Sequence, residues 1–136
     1  MIDYTHILKD AGLVAASAPG TISGEAKIVN LGAGLVEGVM VVDVTAIEIA
    51  SNDEFYKISL QGSSESDFAS DYEDLSILEL GPAETLSGDT DSTIGRYKVP
   101  FRTERNGTVY KYVRSYTHVS GEVSTGINYS CHLTKI

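Results

Sequence analysis

The stretch VSTGINYSCHLT, residues 123–134, decides the fold class. Val123, Thr125, Ile127, Tyr129, Cys131 and Leu133 recur at every second position, with Ser124, Gly126, Asn128, Ser130, His132 and Thr134 between them. A period of two marks a strand with one face on a core and the other toward water. Cys131 is the chain's only cysteine, and with His132 and nearby serines it could pass for a hydrolase site when residues are counted without direction. Direction removes that reading. Neighbours in a strand point to opposite faces, so Cys131 is expected in the core and His132 outside, unable to act as nucleophile and base. Ser130 and His132 share a face but lie about 6–7 Å apart along a strand, too far for direct activation. No catalytic residue is assigned, and the chain is not expected to be an enzyme.

Upstream, Val109, Val113 and Val119 fall on one side of a second alternating segment, and Tyr110, Tyr112, Arg114, Tyr116 and His118 on the other. Ser120-Gly121 is a turn signal, so the two segments are expected to form a hairpin. Asn106-Gly107 signals another, joining the Thr108 strand to one that carries Tyr97, Val99 and Phe101 on a common face. Earlier strands are predicted near residues 26–31, 39–49, 55–61 and 75–80. Within them Tyr56, Ile58 and Leu60 alternate with Lys57, Ser59 and Gln61. Residues 39–49 are apolar on both faces, which suits a central strand or one covered by a partner. The polar stretches 61–74 and 86–95 are expected to be long acidic loops.

Roughly seven or eight strands separated by turn clusters predict an all-β protein, an antiparallel two-sheet β-sandwich of jelly-roll or Greek-key type. The sandwich is expected over residues 24–136 as one domain. Residues 1–23 are expected to be an extended N-terminal arm, with one helical turn around Tyr4–Leu13. LVAASA, residues 13–18, ends like a signal-peptide cleavage site, but Asp3, Lys9 and Asp10 leave neither a basic leader nor an apolar run before it.

Composition narrows the function. A chain of 136 residues can build one core without staples, and a single cysteine excludes an internal disulfide or a cysteine-built zinc site. His6, His118 and His132 lack ligand spacing, and Asp89 and Asp91 lack the later glutamate and glycine of a calcium loop, so neither metal nor cofactor is expected. A net charge of −9 argues against nucleic acid or an anionic membrane as partner. The nearly apolar run 39–50 is broken by Asp43 and Glu48 and is too short to span a bilayer. Charge is also uneven. Between Asp43 and Asp91 stand thirteen acids and one base, Lys57; between Arg96 and His118 stand six bases and one acid, Glu104. Acidic and basic strands can pair across a sheet, each pair being worth about 0.2–1 kcal/mol, or they can form a bipolar surface complementary to a partner. The tyrosine row Tyr110, Tyr112 and Tyr116 fits a core, an interface or a sugar platform.

Four stretches, taken in order, carry a family likeness. AKIVNLGAG (residues 26–34) follows ILKDAGLVAASAPGTIS, and YKISLQGSSESDFAS (residues 56–70) runs from a strand into a polar loop closed by F-A-S. GRYKVPF (residues 95–101) precedes YKYVRSYTHVSGEVSTGINYSCHLT, in which Y-x-R leads into V-S-G and an alternating last strand. Together they resemble the capsid cement, or decoration, proteins of tailed bacteriophages. The charged stretch 102–106 and the residues Asn128, Cys131 and His132 depart from that pattern. The resemblance implies a jelly-roll-like sandwich on the outer capsid surface of the virion, made in the host cytoplasm. Its partners would be the major capsid protein and further copies of itself, as homodimer or homotrimer. Contact is then expected through the arm, at Tyr4 and Leu8, and through a basic cluster of Arg102, Arg105, Lys111 and Arg114. The competing reading is a carbohydrate- or receptor-binding module of a phage tail or fibre, using exposed tyrosines and acidic loops.

Overall fold

Two antiparallel sheets face each other across one apolar core, and strand alternation decides which side chains enter it. The computed structural model describes residues 6–69, 71–86 and 91–135. The chain begins with β1 (Ile7–Val14), followed by four two-residue strands: β2 (Ala18–Pro19), β3 (Thr21–Ile22), β4 (Glu25–Ala26) and β5 (Val29–Asn30). The long strands β6 (Glu37–Ile47), β7 (Phe55–Ser63) and β8 (Glu73–Leu80) come next, then a single helical turn, α1 (Ala83–Leu86). After β9 (Gly95–Arg102) the chain forms a small ribbon, β10 (Glu104–Arg105) and β11 (Thr108–Val109), and ends in β12 (Tyr112–Ser120) and β13 (Ile127–Lys135). The first sheet has the order β1-β13-β6-β9; the second has β2-β12-β7-β8, with β5 also paired to β12.

The core follows the alternation. Met40, Val42 and Val44 of β6, Tyr56, Ile58 and Leu60 of β7, Val113 of β12, and Ile127, Tyr129, Cys131 and Leu133 of β13 are all buried in it. β6 is central in its sheet, between β13 and β9. The Thr117 and Tyr129 hydroxyls are hydrogen-bonded across the sandwich and tie the sheets together inside the core. Oppositely charged strands also meet locally. Asp43 lies opposite Arg96 and accepts from its Nε at 2.7 Å, Glu37 lies opposite Arg102, and Lys57 meets Asp74 at 3.3 Å.

Three expectations need correction. Within the stretch expected to be an extended arm, residues 7–14 belong to the sandwich itself. From Ile7 the chain is strand, with no helical turn over Ile7–Leu13, and β1 pairs with β13 from Ile7↔His132 to Val14↔Ile127. Leu8 turns inward and is fully buried, because it sits where β1 bulges and brings both Leu8 and Lys9 into the sandwich. Tyr4 lies outside the described residues.

Secondly, β12 and β13 are not a hairpin. β12 pairs with β7 over its whole length and β13 pairs with β6, so these consecutive strands sit in opposite sheets. The link between them is a hook held by Glu48. Its Oε1 accepts the backbone N–H groups of Ser124, Thr125 and Gly126 at 2.9, 2.8 and 2.9 Å, and its Oε2 accepts the Ser124 hydroxyl. Gly126 has φ +83, and a Cβ there would collide with the Val14 carbonyl. Val123 and Thr125 therefore precede the strand that their spacing assigned them to.

Thirdly, the Asn106-Gly107 turn does close a hairpin, but only the ribbon β10–β11. Both turn residues have positive φ, 52° and 86°, as a type I′ turn requires. The strand of Tyr97 to Phe101 belongs to the first sheet and β12 to the second, so the ribbon bridges sheets instead of extending one.

Candidate interaction face

The outer face of the second sheet is polar in sequence yet largely covered in space. Lys57, Ser59, Gln61 and Ser63 of β7 point away from the core, opposite His118, Tyr116, Arg114 and Tyr112 of β12. An exposed polar face would be expected, but Ser59 and Ser63 are fully buried and Gln61 nearly so. Ser59 stands between Tyr116 and Ile77 on the flanking strands, and its hydroxyl has no hydrogen-bond partner among the described residues. Residues 64–69 fold back over this face, with Phe68 against Arg114. Phe68, the one aromatic within SSESDFAS, adopts φ +54 and is buried against the sheet. That conformation is costly for a bulky residue and is held here by packing.

Arg114 lies where the loop meets the sheet. Its guanidinium carbon is 4.4 Å from the centre of the Phe68 ring, 5.3 Å from Tyr116 and 5.7 Å from Tyr72. The Tyr116 and His118 rings continue the row, with centroids 4.6 Å apart. Arg114 Nε donates to Gln61 Oε1 at 2.9 Å, which fixes the plane of the group. Burial pulls the guanidinium's pKa down from its ordinary value, and burial followed by the Lys57 charge does the same to His118. Tyr72 and Ile77 remain open to solvent, 51% and 45% exposed, beside this row.

The four basic residues expected to cluster have different local partners. Arg102, on edge strand β9, reaches Glu37 at 3.9 Å and Glu104 at 3.6 Å, so its charge is offset locally. Arg105 sits in the ribbon opposite Thr108, and the Lys111 ammonium lies 5.5 Å from the Tyr112 ring centre. Only Arg114 is built into a structured surface. Its aromatic partners Phe68 and Tyr72 were not among the expected contact residues. The available signal was two aromatics, Phe68 and Tyr72, within the acidic stretch 61–74.

The other polar sites are closed. Cys131 is buried beside Lys9, and burial pushes its thiol up to about 12, so it is neither nucleophile nor metal ligand at neutral pH. His132 faces the other way, towards Asp43 and Arg96, and burial lowers its pKa. Among the described residues no group of three His, Cys, Asp or Glu side chains could hold a metal. Asp89 lies outside the described residues, and Asp91 accepts the Ala83 N–H at 2.9 Å. No described helix is long and apolar enough to cross a membrane. No protein-family model matches the chain, and no curated protein matches its sequence.

Proposed function

We propose that this chain is a capsid decoration protein of a tailed phage. In this reading it binds the major capsid protein on the outside of the mature shell and stabilises contacts between capsomers. The family resemblance motivates it, and the jelly-roll wiring and the self-association into homodimers or homotrimers belong to the same reading. The observation that supports it best is the outer face of the second sheet. There a covered polar layer supports a rigid row of Arg114, Tyr116 and His118, flanked by exposed Tyr72 and Ile77. Arginine and tyrosine are the residues that dominate the centres of protein interfaces, because they contribute large contact areas with little entropy to lose. A protein that binds only the assembled shell stabilises it by mass action, without chemistry.

The test is binding of the purified protein to expanded and unexpanded empty shells. Saturation at a stoichiometry matched to the lattice on the expanded form is expected. Absence of binding to any expanded shell would remove this reading. The exposed Tyr72 beside Arg114 favours one alternative, a carbohydrate- or receptor-binding role on a tail or fibre. A glycan array with clear hits, together with no binding to shells, would select it.

A further inference from the structure

We infer that Arg114 and its aromatic surround form a slot for the carboxylate of an Asp or Glu side chain on a partner protein. The inference rests on the reading that this face is the contact surface, and it names the chemistry the partner must present.

Three observations carry it. The guanidinium is held in place before any partner arrives, by Phe68 at 4.4 Å on one side and by Gln61 on Nε. That bond uses Nε, and no described carboxylate pairs with the terminal amino groups. Nor is the missing counter-charge due to a shortage of acids nearby. Asp67 accepts the Ala69 N–H at 3.1 Å, Glu65 accepts the Asp71 N–H at 2.9 Å, Asp71 binds the Ser64 hydroxyl, and Asp74 pairs with Lys57. In a chain of net charge −9, a partly buried cation is thus left without a counter-ion among the described residues, while Asp67, Glu65, Asp71 and Asp74 are each bound to another donor.

A charge drawn out of water carries a cost until it is paired. A carboxylate is the matching shape, because the planar fork of a guanidinium binds its two oxygens side by side, and the stacked ring loses little entropy when it does so. Tyr72, 5.7 Å from the guanidinium, would exclude water from the pair, as the surround of an interface hot spot does. Apolar exposure of that kind suits a protein surface better than a hydroxyl-covered sugar. The overall negative charge repels acidic partners elsewhere, so the slot also fixes where an acidic partner can dock.

The experiment has two arms. In the first, the ring resonances of Phe68, Tyr72 and Tyr116 are followed by NMR during titration with N-acetyl-Gly-Asp-Gly-amide. Controls are the Asn-containing peptide and N-acetylneuraminic acid. The acidic peptide is expected to shift all three rings and the Asn peptide none, with the response abolished in Arg114→Gln. In the second arm, Arg114→Gln is expected to weaken binding to expanded shells by about tenfold or more. Arg114→Lys, which keeps the charge and loses the fork, should fall between it and the wild type. Shell binding unchanged in Arg114→Gln overturns the slot and leaves the decoration role standing. Ring shifts from the acidic peptide with no shell binding support the slot and remove the decoration role. No ring shift with the acidic peptide, or a stronger response to the acidic sugar, overturns the assignment to a protein carboxylate.

Discussion

Two cations in this protein rest against aromatic rings at the same distance, and only one of them is complete. Lys9, at the seam where β1 joins β13, places its ammonium 4.4 Å from the Tyr129 ring centre and donates to the carbonyls of Asp10, Gly12 and Tyr129 at 3.0, 3.0 and 2.7 Å. Arg114, on the outer face of the second sheet, is 4.4 Å from Phe68 and has a single neutral acceptor on Nε. All three ammonium protons at the seam are used within the chain. The difference separates a structural charge from one left available for a partner, and neither burial nor aromatic contact alone would have distinguished them.

Changes at the seam should therefore cost stability and changes on the outer face should cost binding. The largest effect is expected for Gly126→Ala. The new methyl would meet the Val14 carbonyl at a positive φ, so the hook into β13 cannot close. A loss of about 3 kcal/mol or more is expected in urea unfolding. A wild-type midpoint would show that the seam can shift to make room. Next comes Lys9→Met, which keeps the aliphatic stem but removes the buried donor to the carbonyls of Tyr129, Asp10 and Gly12. It should lower stability by about 2–3 kcal/mol, and a loss below a few tenths would end the claim that this charge is structural.

Glu48 is the acidic counterpart of Lys9. Hydrogen bonds from the Gly126, Thr125 and Ser124 backbone hold its carboxyl down to about 2, from an ordinary 4.5. A folded-state value below the unfolded one means that the contribution is fully present above pH 4.5 and is lost as pH falls towards 2. Midpoints measured across that window should decline in the wild type. In Glu48→Gln they should start lower and decline less, and parallel curves would dissociate the hook from Glu48 ionisation. The smallest stability effect is expected for Arg114→Gln, about 1 kcal/mol, since only the stacking on Phe68 and one neutral hydrogen bond to Gln61 are lost. A loss comparable to that of Lys9→Met would make Arg114 a structural residue and erase the contrast between the two regions.

Much of this fold was legible residue by residue. The alternation in β13 placed Cys131 inward and His132 outward, and β7 and β12 showed their inner and outer rows correctly. The Asn106-Gly107 turn also lay where its backbone preference put it. Pairing was less legible. Ser120-Gly121 looks like a hairpin turn, but a carboxylate more than seventy residues upstream gathers the amides after it and sends the chain to the other sheet. Lys9, a charged residue in a segment expected to be an extended arm, gave no local sign that a bulge would turn it inward.

The site divides along the same line. Arg114 could be chosen from sequence because it lies in a basic run on the polar side of a strand, and Arg102 could be chosen for the same reason. Their neighbours set them apart. Glu37 and Glu104 offset Arg102, whereas Phe68 folds back from a loop nearly fifty residues away to support Arg114. By itself the sequence determined the strand character, the facing of each side chain and the excess of acid, because these depend on local periodicity and composition. Which strands pair, which charges are offset and which cation is left open were decided only by the tertiary structure, because each depends on groups that long-range folding alone brings together.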